Sequence, residues 1–424
     1  MVTTFLVRFQ NKIEMIAFLA CRILKVLQGS MARKNLSLLA TCQGLMMSCT
    51  SLTIATSALV GVLLAPTPVL ATLPLGLTYG CMMLMMIPAS LFMRRYGRRA
   101  GFVLGGCAGM IGGTTSAVGI YTSSFLLFCI GSIIFGVASG FGQYYRFAAT
   151  EVVDESYKSR AISWVLLGGL VAAFIGPNAA SLTRDLIPDA LFSASYALVA
   201  LFSLCIVVTQ YFIRIPSPSA EESSGHKRPL RQILTRSTFI VAALCAMVAY
   251  GTMNLLMTVT PLAMHDREMA FGATVLVIQW HIVGMFAPSF FTGSLIDRFG
   301  VLKITLAGAL ILVACAAVAL SGQLYSHFVI GLVMLGIGWN FLYIGGTTLL
   351  TESYLPAEKG AVQGINEFLV FSATTLTAFT SGYLHYKYGW ETLNQYAIPV
   401  VCVTACIIIW FGWSRYRNQQ AQLA

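Results

Sequence analysis

Charge is what this sequence has least of. Only 10% of its 424 residues are Asp, Glu, Lys or Arg, whereas soluble domains carry about 25%, so the chain cannot coat itself in a water-facing surface. Alternation of apolar and polar residues is missing too, which excludes a membrane β-barrel. The apolar residues, 57% of the chain, fall instead in unbroken runs rich in Leu, Ile, Val and Gly. Catalytic signatures are absent: there is no Gly-x-Ser-x-Gly, no His-Glu-x-x-His and no phosphate-cradling Gly-Lys-Ser/Thr loop. Neither an enzyme nor ATP-driven pumping by this chain alone is expected, and no cofactor is called for. The eleven cysteines, Cys42, Cys49, Cys81, Cys107, Cys402 and Cys406 among them, sit almost entirely inside apolar runs without metal-ligand spacing. They read as small buried hydrophobes, and no metal is expected.

What is there is a series of twelve apolar runs, at roughly 36–64, 69–93, 101–121, 125–149, 160–182, 190–213, 237–263, 271–296, 302–322, 326–350, 360–384 and 391–413. Each is long enough to cross the roughly 30 Å hydrocarbon core of a bilayer as a helix, and lipid leaves no other way to satisfy an open backbone. The fold class is all-α integral membrane. One polar segment, RIPSPSAEESSGHKRPLRQILTR at 214–236, divides the runs six and six. The domains are therefore a basic segment at 1–35, a six-helix half at 36–213, the linker at 214–236, a second half at 237–413 and a tail at 414–424. The halves repeat each other. ASLFMRRYGRRAG at 89–101 matches GSLIDRFGVLKIT at 293–305, and ATEVVDESYKSRAIS at 149–163 matches LLTESYLPAEKGAVQ at 349–363. Such duplication places a transport site at the repeat interface.

The formal net charge is +11, yet its distribution points to a bilayer and not to nucleic acid. Of the 26 Lys and Arg residues, only Arg184, Arg267 and Lys387 fall in loops on the far side. Basic loops stay cytoplasmic, which puts both termini and the linker in the cytoplasm of a multi-pass protein of a bacterial inner membrane. A monomer is expected. The first thirty residues mix apolar residues with Arg8, Lys12, Arg22 and Lys25 and hold no uncharged run of spanning length. They read as an interfacial segment or as sequence upstream of a natural start at Met31.

Polar groups at membrane depth are expensive and so mark function. Glu367 lies eight residues past Lys359, about 12 Å into the membrane, with Gln363 and Thr374 on its face. A carboxylate there can trade protons near neutral pH. His281 lies sixteen residues before Asp297, about 24 Å deep, beside Gln279 and Trp280, and is the second proton-coupling candidate. Gln143 and Arg146 share a helix face near the end of the fourth run. Arg146 reads either as a site for an anionic substrate or as a partner of Asp154 and Glu155.

The loop GSLIDRFGVLK at 293–303, its degenerate partner at 90–100 and AAFIGPNAA at 172–180 resemble the major facilitator superfamily over roughly 36–413. In that family the loop signature is Gly-x-x-x-Asp-Arg-x-Gly-Arg-Arg, whose acid caps a helix terminus and helps hold one access state. Asp297, Arg298 and Gly300 match it. The first copy keeps Arg95, Gly97, Arg98 and Arg99, but Arg94 stands where the acid belongs and cannot act as an anionic cap, so Asp297 is expected to carry the latch alone. Ala172, Gly176 and Pro177 resemble the bend motif of the family's exporters and are expected to let the eighth helix pack closely. The resemblance also implies that helices 1, 4, 7 and 10 line a cavity, through Gln43–Thr50–Ser57, Gln143–Arg146, Tyr250–Asn254–Met257 and Trp339/Asn340–Tyr343–Thr347. Gln43, Gln143, Arg146, Asn254, Trp339, Asn340 and Gln363 are the substrate-cavity candidates.

The function expected is secondary active transport of a small organic solute by alternating access, coupled to protons. Efflux by proton exchange comes first on the Ala172–Pro177 motif. Proton-coupled uptake of a nutrient, organic anion or metal chelate is the alternative, and a non-transporting membrane sensor on the same fold is the second. If Met31 is the natural start, removing residues 1–30 leaves membrane insertion unchanged in a fractionation assay.

Overall fold

The computed structural model describes residues 30–153, 158–213, 228–355 and 358–423. The expectations placed on the segment before Ser30, on most of the linker and on Asp154 and Glu155 lie outside the described residues. Among these residues there is helix and no strand.

Span 1 is Ser30–Leu64, span 2 Leu73–Tyr96 and span 3 Arg98–Tyr121. Span 5 is Lys158–Thr183, span 6 Ser193–Tyr211, span 7 Ser237–Asp266, span 9 Val301–Ser321 and span 10 Tyr325–Thr351. Two spans differ from the continuous helices expected. Span 4 is Phe125–Gly142 followed by Tyr145–Glu151, interrupted just after Gly140 and Gly142, each of which weakens a helix by about 1 kcal/mol. Span 8 is Phe271–Phe286 followed by Ser289–Phe299. Between them Pro288 has no N–H to donate, and its ring crowds the preceding turn. The helix Lys359–Leu423 has 65 residues, about 98 Å at 1.5 Å per residue and far more than one crossing. Gly389, at φ 76°, breaks it into spans 11 and 12. Ten of the described helical stretches are long and apolar enough to cross a membrane. The last of them holds two spans, and span 5 brings the spans to twelve, so Ser30 and Leu423 lie at the same face of the bundle.

Spans 1–6 and 7–12 form two bundles. The first packs around Phe102, Phe141 and Tyr145, the second around Leu312, Leu335 and Trp339. The repeat seen in sequence reappears in backbone geometry: Gly97 (φ 87°) and Gly300 (φ 89°) make the same turn between spans 2 and 3 and between spans 8 and 9. A positive φ of this kind is open to glycine and strained for other residues. Small residues let helices approach where lipid supplies no hydrophobic force, and Gly176 shows how. A Cβ there would run into the Ser51 hydroxyl and the Ser48 carbonyl, while Ser51 donates to the Ala172 carbonyl at 3.3 Å. The Gly176–Pro177 bend therefore seats span 5 on span 1. This corrects the expectation that it serves packing by span 8, where the close approach belongs to Gly169, over Phe286.

The halves meet chiefly at the face opposite the chain ends. Spans 2 and 11 run together from the Gly382 N–H, which donates to Thr72 Oγ1 at 3.0 Å, down to Ser372 beside the Met83 sulfur. Spans 5 and 8 are joined by Asn178, which donates to Gln279 Oε1 at 2.8 Å. At the same end the Arg184 guanidinium lies 5.3 Å over the Phe271 ring. At the opposite face, the ion pairs among the described residues stay within one half: Arg98–Glu151 in the first, Arg228–Glu358 and Arg415–Glu352 in the second.

Arg228 anchors the end of the linker. Its backbone N–H and Nε each donate to Glu358 Oε1 at 2.8 Å, and the Leu355 N–H donates to Oε2 at 2.8 Å. The Arg228 hydrogen bonds hold the Glu358 carboxyl below its ordinary 4.5, at about 2. A carboxyl depressed in the folded state contributes stability above its unfolded value that is lost as the acid form returns. Glu358→Gln is therefore expected to lower the melting temperature at neutral pH. The gap to wild type narrows as pH falls from 4.5 toward 2, measured by thermal denaturation in detergent.

Candidate functional site

Among the described residues, one charged contact crosses between the halves at depth. Arg146, one residue into the second helix of span 4, places Nη2 3.3 Å from Glu367 Oε2 on span 11. The break after Gly142 carries Arg146 out of line with the upper part of span 4. Tyr144 at the break donates to the Met86 carbonyl at 2.6 Å, and Gln143 Nε2 lies 3.7 Å from the Met82 sulfur. The ion pair is loosely satisfied. Glu367 Oε1 is 3.5 Å from the Tyr343 hydroxyl, the long limit of a hydrogen bond. Arg146 Nε is buried without a partner among the described residues. The side chains keep 26% and 17% of their surface exposed, so a solute entering between the halves can reach them.

Beside the pair stands a cluster of rings. Trp339 and Tyr343 stack with centroids 5.0 Å apart, and Tyr250 meets them edge-on at 5.1 Å and 4.9 Å. Phe371 lies 5.8 Å from Tyr250 and one turn beyond Glu367, and Phe286 lies 6.2 Å from Trp339. The Trp339 indole N–H is buried without a partner among the described residues. The rings are packed on one another and mostly buried, an aromatic wall next to one donor–acceptor pair.

The other candidates fall elsewhere. Asn254 donates to the Thr374 carbonyl and to Thr377 Oγ1, both at 3.1 Å, tying span 7 to span 11. Asn340 bridges the break in span 8: it donates to the Met285 carbonyl and Ser289 Oγ and accepts from Thr292 Oγ1, each at 2.7 Å. His281 is fully buried with Nδ1 2.8 Å from the Leu332 carbonyl, facing span 10. Gln363 donates to the Tyr354 hydroxyl at 2.8 Å, and Gln43 is half-buried on span 1. Of the loop residues, Arg98 grips Glu151 at 2.7–3.2 Å, while Arg95 and Arg99 lie over Tyr96 and Tyr211. Asp297 and Arg298 are exposed, and Arg298 lies over Phe299. Among the described residues the ion pair at this level is Arg98–Glu151, in the first half. The side chain of Arg94 is outside the described residues. Asn178, Phe371 and Tyr144 were not singled out beforehand. Phe371 was accessible, because it repeats at i+4 from Glu367.

An enclosed void in the first bundle, lined in part by Thr53, Ser57, Thr78, Ser116, Ser132 and Tyr196, lies apart from the pair. None of its lining residues is charged. No group of His, Cys, Asp or Glu able to hold a metal occurs among the described residues.

Two helical bundles with a repeat interface that holds a charged pair define a membrane transporter. The family model described as Major Facilitator Superfamily matches residues 36–287 and 242–424, and the chain belongs to that superfamily. It is an integral membrane transporter and not an enzyme. It is 40% identical over 380 residues to the riboflavin transporter RfnT of Brucella anthropi, covering 89% of this chain and 96% of that one. It is 31% identical to the uncharacterized MFS-type transporter YdeG of Bacillus subtilis, over 65% of this chain and 68% of that one. Among solved structures it resembles the xylose transporter XylE from E. coli, with TM-score 0.70 and 13% identity over 90% of this chain and 99% of that one. FucP in the outward conformation aligns with TM-score 0.58 and 18% identity, over 88% and 98%.

Removing one member of the ion pair strands the other. Arg146→Ala and Glu367→Ala are each expected to destabilise, and the double variant to be more stable than the sum predicts by about 1–3 kcal/mol, measured by denaturation of the purified variants.

Proposed function

We propose that this protein carries riboflavin inward across a bacterial cytoplasmic membrane as a monomeric proton symporter, with both termini in the cytoplasm. The carrying observation is the ring cluster Tyr250–Trp339–Tyr343–Phe371 beside Arg146–Glu367, in a chain 40% identical to a riboflavin transporter. Riboflavin is a flat three-ring system with a sugar-alcohol tail. Its ring offers a face to stack and an edge of carbonyl and N–H groups to bond.

Glu367 is the coupled proton's carrier. In the empty state Arg146 pairs with it and bridges the halves. A ligand carbonyl that takes Arg146 removes that counter-charge, and Glu367 then accepts a proton, because an unpaired carboxylate in low dielectric is costly. Inward symport is preferred to exchange because the Gly176–Pro177 bend, the feature that favoured export, is accounted for by contact with span 1. The unequal spread of Lys and Arg supports the orientation. His281 is less suited to the relay, since its ring faces Leu332.

Proteoliposomes holding the purified protein test this reading. An acid-outside gradient is expected to drive riboflavin into the lumen for protein inserted in its native sense. Arg146→Ala and Trp339→Ala are each expected to slow that flux at least about tenfold, the equivalent of about 1.4 kcal/mol. Absence of riboflavin flux refutes the substrate, and flux indifferent to the proton gradient refutes the coupling.

A further inference from the structure

We infer that Arg146 and protonated Glu367 together read the imide edge of the flavin ring. The inference rests on the riboflavin reading above and extends it to the atoms that decide specificity. At one end of its ring riboflavin presents carbonyl, N–H, carbonyl in a row: acceptor, donor, acceptor. A complementary wall must offer donor, acceptor, donor. A guanidinium supplies donors only, and an ionised carboxylate supplies acceptors only. The ionised pair therefore answers one carbonyl and the N–H but turns a carboxylate oxygen toward the second carbonyl. That leaves two acceptors face to face in a site poor in water, where an unmet polar group is expensive.

One proton resolves the conflict. A protonated carboxyl has an O–H donor beside a carbonyl acceptor, so Arg146 with neutral Glu367 spells donor, acceptor, donor. The proton stays on Glu367 and no covalent bond is made or broken. Among the described residues a 3.3 Å contact joins them, Glu367 Oε1 has a 3.5 Å contact with Tyr343, and Arg146 Nε is without a partner. The rings of Tyr250, Trp339 and Tyr343 form the wall next to Glu367. The titratable groups around Glu367 are Arg146 and Tyr144 from span 4, Tyr343 from span 10 and Tyr250 from span 7. Among these only Arg146 carries a fixed charge. Proton coupling and ligand choice then become one event, because the ligand's hydrogen-bond pattern demands the acid form.

Binding to the purified full-length protein in nanodiscs, followed by quenching of flavin fluorescence, tests this. Wild type is expected to bind riboflavin more weakly as pH rises, by up to about tenfold per pH unit where one proton is taken up. It should bind 3-methylriboflavin, which lacks the imide N–H, at least about tenfold more weakly. Lumiflavin, with the edge intact and the tail removed, keeps the preference over its own 3-methyl form. Glu367→Gln, whose amide offers the same acceptor and donor as the acid, is expected to bind riboflavin within about threefold of wild type at low pH and to lose the pH dependence. Glu367→Ala loses affinity. The edge assignment is overturned if wild type binds 3-methylriboflavin as tightly as riboflavin, or if Glu367→Gln binds as weakly as Glu367→Ala or retains the pH dependence. The analogue comparison needs no variant to fold. Failure of wild type to bind either riboflavin or lumiflavin overturns the flavin reading and this inference together, which separates the two kinds of failure.

Discussion

The contact between Arg146 and Glu367 is the constraint on which the rest of this molecule turns. Two opposite charges placed in the middle of an apolar bundle would be costly singly, and their attraction offsets desolvation only while they stay close. Because one sits on span 4 and the other on span 11, any motion that separates the halves must either break the pair or replace it. In the mechanism we propose, a solute that supplies a carbonyl offers the replacement.

Around that pair the remaining deep polar groups act as struts. Asn340 covers the carbonyl exposed where Pro288 interrupts span 8, and Asn254 ties span 7 to the backbone of span 11. Such bonds between membrane helices are worth about 0.6 kcal/mol on average, modest singly but directional. Both join spans of the second half to one another. Between the halves the contacts are a few specific ones, such as Asn178 to Gln279, set among glycines and rings.

Much of this architecture was readable in the residues. Run length gave the twelve crossings, and the duplicated loops gave the two halves, down to the shared turn at Gly97 and Gly300. The breaks in spans 4 and 8 were less visible, because the apolar character continues through Gly142 and Pro288 while only the backbone changes. Arg146 and Glu367 each stood out by the cost of a charge at depth. Their pairing did not, since spacing along a chain reports neighbours on one helix and these residues lie in different halves. The same limit explains why Asn254, Asn340 and His281 looked equivalent to them beforehand: a sequence shows that a buried polar group needs a partner, not which one it finds. Asn178 was masked by the proline beside it.

The clamp of Arg228 on Glu358 has a mechanical consequence. It fastens the stretch that leads into span 7 to the foot of span 11, and Arg415 near the end of span 12 grips Glu352 just past the end of span 10. Spans 7 and 11, and spans 10 and 12, are therefore tied at their ends as well as along their lengths, so these four helices must travel together when the halves move.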